Sequence, residues 1–351
     1  MMMQNLETTL DKYKPWMWVP PSVSHKWMEP LLKTLCFIDE DLSGASQEWK
    51  TWNSFDWKGF HFRNPLGIAG GVDKTGSNIA NWWDLGVGFL EIGTVTPYYQ
   101  APNPGKIIAR NAKDFCLWNK MGFPHPGYKE TFVNLEKNFE NRQTPILVNI
   151  GKNRWVPNEK AHEDYILLIH QLHAYTDIFV VNISSPNTVG LRELFQRDRL
   201  KPFLSSIYET AKLYSKPVLL KLSPDEDSSQ LNLIIEISLA VGIDGFIVSN
   251  TTLQRDTQSS FPKEGGMSGK FLAPLSKKIL KMIVTELGPQ KKEKLIINAG
   301  GIFNFSDLQE RQDLGADLFQ IYSGIVFNGP YIFKKIAREY FLKYSQSNEK
   351  T

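Results

Sequence analysis

The chain has 351 residues, 42% hydrophobic and 22% charged, which excludes a disordered or fibrous protein and leaves room for one large core. A formal net charge of +3, without a dense Lys/Arg tract, excludes nucleic acid as the expected partner. Cys36 and Cys116 have no metal-ligand spacing to each other or to the six histidines, so no metal site and no disulfide framework are expected, and a reducing compartment fits best.

The first stretch, MMMQNLETTLDKYKPWMWVPPS, carries acids early and lacks a long apolar core, so it reads as neither a signal peptide nor a membrane span. Residues 1–58 form an extension of distinct character, holding Trp16, Trp18, Trp27, Trp49, Trp52 and Trp57. From Ser24 to Phe37 the spacing predicts short amphipathic helices, with Trp27, Met28, Leu31, Leu32 and Leu35 on an apolar face and Lys26 and Lys33 flanking it. Such a face suits a cap packed on the rest of the chain, or a membrane-interface surface where aromatic rings and lysines sit at headgroup depth.

Residues 59–351 read as an α/β domain. Eight short apolar runs recur at 66–70, 89–95, 146–150, 178–183, 218–222, 245–250, 295–300 and 318–323, each followed by a polar or glycine-bearing turn and a stretch compatible with helix. Runs without period-two polarity are expected of parallel strands covered on both faces. Their number and the domain's size predict a (β/α)8 TIM barrel. The competing open doubly wound sheet lacks its G-x-G-x-x-G fingerprint after the first strand.

In such a barrel the reactive groups stand at the carboxyl ends of the strands, and these ends are unusually polar: Lys74, Thr94, Asn149, Asn182, Lys221, Asn250, Thr251, Asn298 and Tyr322. Asparagine offers donors and an acceptor without charge, which suits a planar ligand edged with amide groups. Lys221, inside VLLKL, is costly to bury without an anionic or strongly polar partner, either a bound ligand or a barrel carboxylate. The glycine turns NAGG and YSG follow the last two runs, where this fold cradles phosphate, and EGGMSG permits close backbone approach to a ring. Together they favour a phosphate-bearing cofactor such as FMN. After the fourth run, Asn182 and Asn187 bracket Ser185, and Pro186 stiffens the backbone between them. Gly190 and the charged run from Arg192 to Arg199 suggest a movable lid over this loop.

From about residue 59 to 335 the motifs NPLGIAGGVDKTG, EIGTVTP, NKMGF, VNIGKN, NISSPNT, VSNTT, GGMSG, NAGG and QIYSG occur in the order found in one family. The chain resembles the dihydroorotate dehydrogenases, specifically their membrane-associated, quinone-dependent class. The resemblance implies oxidation of dihydroorotate to orotate in pyrimidine biosynthesis, with FMN as cofactor and a ubiquinone-type quinone as acceptor. It implies Ser185 as the catalytic base, where the soluble class has cysteine. Substrate contacts are implied for Lys74, Asn119, Lys120, Met121, Gly122, Phe123, Asn182, Asn187, Asn250 and Thr251. Flavin contacts are implied for Gly70, Gly71, Val72, Asp73, Lys74, Thr94, Asn149, Asn182, Lys221, Ser249, Gly269, Gly301, Tyr322 and Ser323. Arg110 and Tyr322 are implied on the quinone path. With the class in view, the extension reads as an apolar quinone entrance touching lipid, and a peripheral, monomeric protein on the cytoplasmic side of the cell membrane is expected. Lys120, Ser249 and PGKIIAR depart from the family pattern, where arginine, threonine and a PRxFR stretch are usual.

Overall fold

The computed structural model describes residues 2–39, 42, 48–188, 190–255 and 260–348. The extension opens with α1 (Met2–Tyr13), one 3-10 turn at Pro15–Met17, and α2 (Pro21–Ile38). Prolines at the start of the turn and of α2 fit positions whose N–H needs no helical partner. Pro30 lies inside α2, which nonetheless continues as a single helix where shorter ones were expected. Leu32 and Leu35 of α2 enter the main hydrophobic core. Trp27, expected beside them, points out: Trp18, Trp27 and Phe37 are 73%, 64% and 87% exposed. Only one side of the helix can meet the barrel, and the stripe centred on Leu32 and Leu35 takes it. The side chains of Lys26 and Met28 lie outside the described residues. Among the described helices none is long and apolar enough to cross a membrane.

The hairpin of β1 (Phe55–Trp57) and β2 (Phe60–Phe62) spans the division expected at residue 58, and its Trp57 and Phe62 belong to the apolar cluster inside the barrel. The chain then runs through β3 (Leu66–Asp73), α3 (Ile79–Asp84), β4 (Phe89–Val95), β5 (Ile108–Asn111), β6 (Cys116–Asn119), α4 (Tyr128–Asn138), β7 (Ile146–Ile150) and α5 (Ala161–Leu172). It continues through β8 (Ile178–Asn182), α6 (Arg197–Leu213), β9 (Val218–Leu222), α7 (Ser228–Val241), β10 (Gly245–Val248), β11 (Gly266–Gly269) and α8 (Ala273–Leu287). Last come β12 (Leu295–Ala299), α9 (Phe305–Asp313), β13 (Leu318–Ile321), α10 (Ser323–Asn328) and α11 (Ile332–Asn348).

Among the described strands, β3, β4, β7, β8, β9, β10, β12 and β13 close in that order into a parallel barrel, as the eight apolar runs predict. Alternation along each strand divides its interior into two tiers. The lower is apolar: Phe89, Leu147, Val180, Leu219, Ile247, Ile297 and Leu318, closed below by Trp57 and Phe62. Two residues further along the same strands stand Glu91, Asn149, Asn182, Lys221 and Gln320, a polar tier that is nonetheless buried. The sequence reading missed a three-stranded antiparallel sheet, β11-β6-β5, formed by segments inserted after β4 and β10.

The extension is fastened to the far end of the chain. Glu7 on α1 pairs with Arg338 at 2.6 Å and Lys334 at 3.5 Å on α11. The Lys14 ammonium and Trp16 indole donate to the carbonyls of Phe327 and Val326, at 2.7 and 2.9 Å, which closes the carboxyl end of α10.

Candidate active site

One cleft opens at the carboxyl ends of the barrel strands, with about 1140 Å³ of atom-free space continuous with solvent. Its lining includes the expected base Ser185 and, from the expected substrate set, Lys74, Asn119, Met121, Gly122, Phe123, Asn182, Asn187, Asn250 and Thr251. It also includes Gly70, Gly71, Thr94, Lys221, Ser249, Gly301, Tyr322 and Ser323 from the expected flavin set.

Local bonds fix these groups. Asn182 donates to Thr94 Oγ1 at 3.0 Å, and Asn250 donates to Asn182 Oδ1 at 3.3 Å and to Ser184 Oγ at 3.1 Å. Asn187 donates through its backbone N–H to Ser185 Oγ at 3.2 Å and through its side chain to Asn119 Oδ1 at 2.8 Å. The remaining Asn187 oxygen is buried without a partner and therefore calls for a donor. Burial lowers the Lys74 ammonium to about 8. His125 donates through Nε2 to the Lys74 carbonyl, 3.1 Å away, and burial first of all pushes its imidazole down to about 4, so the ring is neutral at pH 7. Burial raises the Tyr322 phenol to about 12, which keeps its proton in place at pH 7. In the turn after β12, Gly300 and Gly301 have φ of +117° and +72°, a backbone that only glycine adopts without strain.

Several expected site residues stand elsewhere. The Lys120 ammonium pairs with Glu264 and is absent from the cleft lining. Asp73 is used locally, accepting backbone N–H groups from Gly76, Ser77 and Asn78 at 2.8, 3.2 and 3.0 Å, so it shapes the turn that presents Lys74. Val72 packs against the main core. Gly269 is required because a side chain there would collide with the Phe115 carbonyl. Asn149 lies behind the lining, with its amide on Glu91. Arg110 reaches away toward the extension, donating to the carbonyls of Trp16 and Val19 at 3.0 and 2.6 Å and to Ser24 Oγ at 3.2 Å. In the segment expected to act as a lid, Leu191, Leu194 and Phe195 are buried, and Val189 lies outside the described residues.

The sequence reading overlooked Glu91, His125 and Gln320. A signal existed for Glu91: a lone acid within FLEIGTV mirrors the lone lysine within VLLKL, and two opposite charges in barrel strands predict each other.

The dihydroorotate dehydrogenase family profile matches residues 54–341. A dihydroorotate dehydrogenase (quinone) from Christiangramia forsetii is 39% identical over 285 residues, covering 80% of this chain and 82% of that protein. One from Sulfurimonas denitrificans is 38% identical over 279 residues, covering 79% and 77%. The crystal structure of ligand-free DHODH from Eimeria tenella superposes with a TM-score of 0.80 at 29% identity, over 91% of this chain and 95% of that one. The chain belongs to the dihydroorotate dehydrogenase family.

Proposed function

We propose that this protein oxidises dihydroorotate to orotate with FMN and passes the electron pair to a quinone at the cytoplasmic face of the cell membrane. The observation that carries this reading is the convergence of Lys74, Asn119, Asn182, Ser185, Asn187, Asn250 and Thr251 on one cleft with an apolar wall. Uncharged amides match the donor and acceptor edges of a pyrimidine, and Lys74 matches its carboxylate.

The residues present suit FMN. Both polar atoms of the Gln320 amide, in the cleft lining, are buried without partners, and Lys221 adds a cation to the same lining. The glycine turn after β12 and the start of α10 line the same cleft and offer backbone N–H groups to a phosphate. FMN, when bound, supplies the hydride acceptor.

In this mechanism Ser185 Oγ passes its own hydroxyl proton to water in the cleft and takes the proton from C5 of dihydroorotate as hydride leaves C6, so that the C5=C6 bond of orotate forms. The N–H of Asn187, 3.2 Å from that oxygen, steadies negative charge developing on it. Asn250, Asn182 and Thr94, tied in one chain of hydrogen bonds, hold the pyrimidine edges in register. Tyr322, Ile108, Leu117, Leu272 and Ile302 form the apolar wall along which a quinone ring would approach. Arg110 keeps the extension closed over β5 on that side. The exposed Trp18, Trp27 and Phe37 suit the headgroup region of a bilayer.

Ser185→Ala tests the base assignment. Turnover at neutral pH should fall by about two to four powers of ten with FMN still bound; near-normal turnover would overturn it.

A further inference from the structure

Glu91 on β4 and Lys221 on β9 belong to strands that are not neighbours, so their contact crosses the barrel interior. Lys221 Nζ donates to Glu91 Oε1 at 2.8 Å, with the two side chains 7% and 0% exposed. The Asn149 amide donates to the same oxygen. Glu91 Oε2 is buried with no hydrogen-bond partner. Gly70 leaves the space this arrangement needs, because a Cβ there would press on the Glu91 carboxylate and stand 3.1 Å from Asn149 Nδ2.

Burying a carboxylate with one oxygen unsatisfied is expensive, and the tier below shows that apolar side chains fill this barrel well. What the carboxylate does for Lys221 accounts for its presence. A lone buried ammonium would face the cleft with a whole positive charge at low effective dielectric. Paired with Glu91, the two act outward as a dipole, whose field falls off faster with distance.

We propose that Glu91 is a positioning residue and counter-charge for Lys221, and that it limits how strongly the site favours an electron-rich bound ring. The inference rests on the reading that this cleft holds FMN. A flavin that takes up two electrons and one proton gains a negative charge. An unneutralised lysine stabilises that state, so Glu91 keeps the bound flavin a weaker electron acceptor and eases electron transfer onward to quinone.

The test is the reduction of bound FMN in the purified, flavin-loaded protein, equilibrated with a reference dye and read by absorbance. Glu91→Gln should raise the reduced-to-oxidised ratio at fixed dye potential by about tenfold, about 30 mV for a two-electron couple. Glu91→Asp, whose retracted carboxylate neutralises Lys221 less well, should raise it by about threefold on the same scale, and it decides the matter should the glutamine variant lose flavin. Lys221→Met should lower the ratio. Unshifted or lowered ratios in the Glu91 variants, with a wild-type protein that binds and reduces FMN, would overturn the inference alone. A wild-type protein that binds no FMN would overturn the flavin reading and the inference with it.

Discussion

Arg192 and Asp225 meet at 3.1 Å and join the loops that follow β8 and β9. Arg192 also donates to the Ser184 carbonyl at 3.2 Å, one residue before Ser185. Asp225 accepts from the Leu253 N–H at 2.8 Å and from the Thr252 hydroxyl, just past Asn250 and Thr251. The pair therefore sets the spacing between the proposed base and the residues opposite it. Asp225→Ala should cost about 2 kcal/mol of stability through lost charge-assisted hydrogen bonds. It should lower kcat by about 10- to 100-fold through misplacement of the two loops. Thermal unfolding and steady-state kinetics check this; unchanged kcat in a destabilised protein would show that the loops hold their places without it.

Lys74 gives the account its pH dependence. Its folded-state value, lowered by burial to about 8, means that the ligand-free protein sheds this proton as pH rises through that point. A substrate carboxylate needs the ammonium form, so orotate affinity should be full below pH 8 and fall by about tenfold per pH unit above it. His125 is already neutral across this range and adds no step. A titration of orotate between about pH 6.5 and 9, followed by the flavin spectrum, should show the step in the wild type and not in Lys74→Gln.

The extension sorts its apolar side chains residue by residue into those packed on the barrel and those that face outward. Trp18, Trp27 and Phe37 face outward, so replacing all three by serine should leave stability within about 0.5 kcal/mol. The same change should reduce partitioning onto anionic vesicles by at least about tenfold, since each apolar side chain buried in the interface contributes on the order of 1.5–3 kcal/mol. Turnover with a short-chain, water-soluble quinone should be unaffected. Undiminished vesicle binding in co-sedimentation would place the lipid contact elsewhere.

The barrel was legible because its strands are covered on both faces and so read as near-continuous apolar runs; the run at 218–222 and β9 coincide. The sheet of β5, β6 and β11 was not. Each strand has four residues, and Gly269 pairs with Cys116 across a sequence distance that no local pattern encodes. Asn182, Asn250 and Ser185 were legible as polar groups at or just past strand ends, and the cleft brings them together, whereas Asn149 and Asn298 stand behind its lining. Lys120 and Arg110 point out of the cleft for a common reason: a long cationic side chain goes to the partner within reach, here Glu264 and the carbonyls of the extension. A motif names the residue and leaves that direction open.

The most direct measurement follows the flavin absorbance of the purified protein without oxygen, adding dihydroorotate and then a short-chain ubiquinone. The oxidised flavin band should bleach with the first and return with the second. A band that stays unchanged with dihydroorotate would contradict the proposed oxidation, and one that bleaches but does not return would contradict the transfer to quinone.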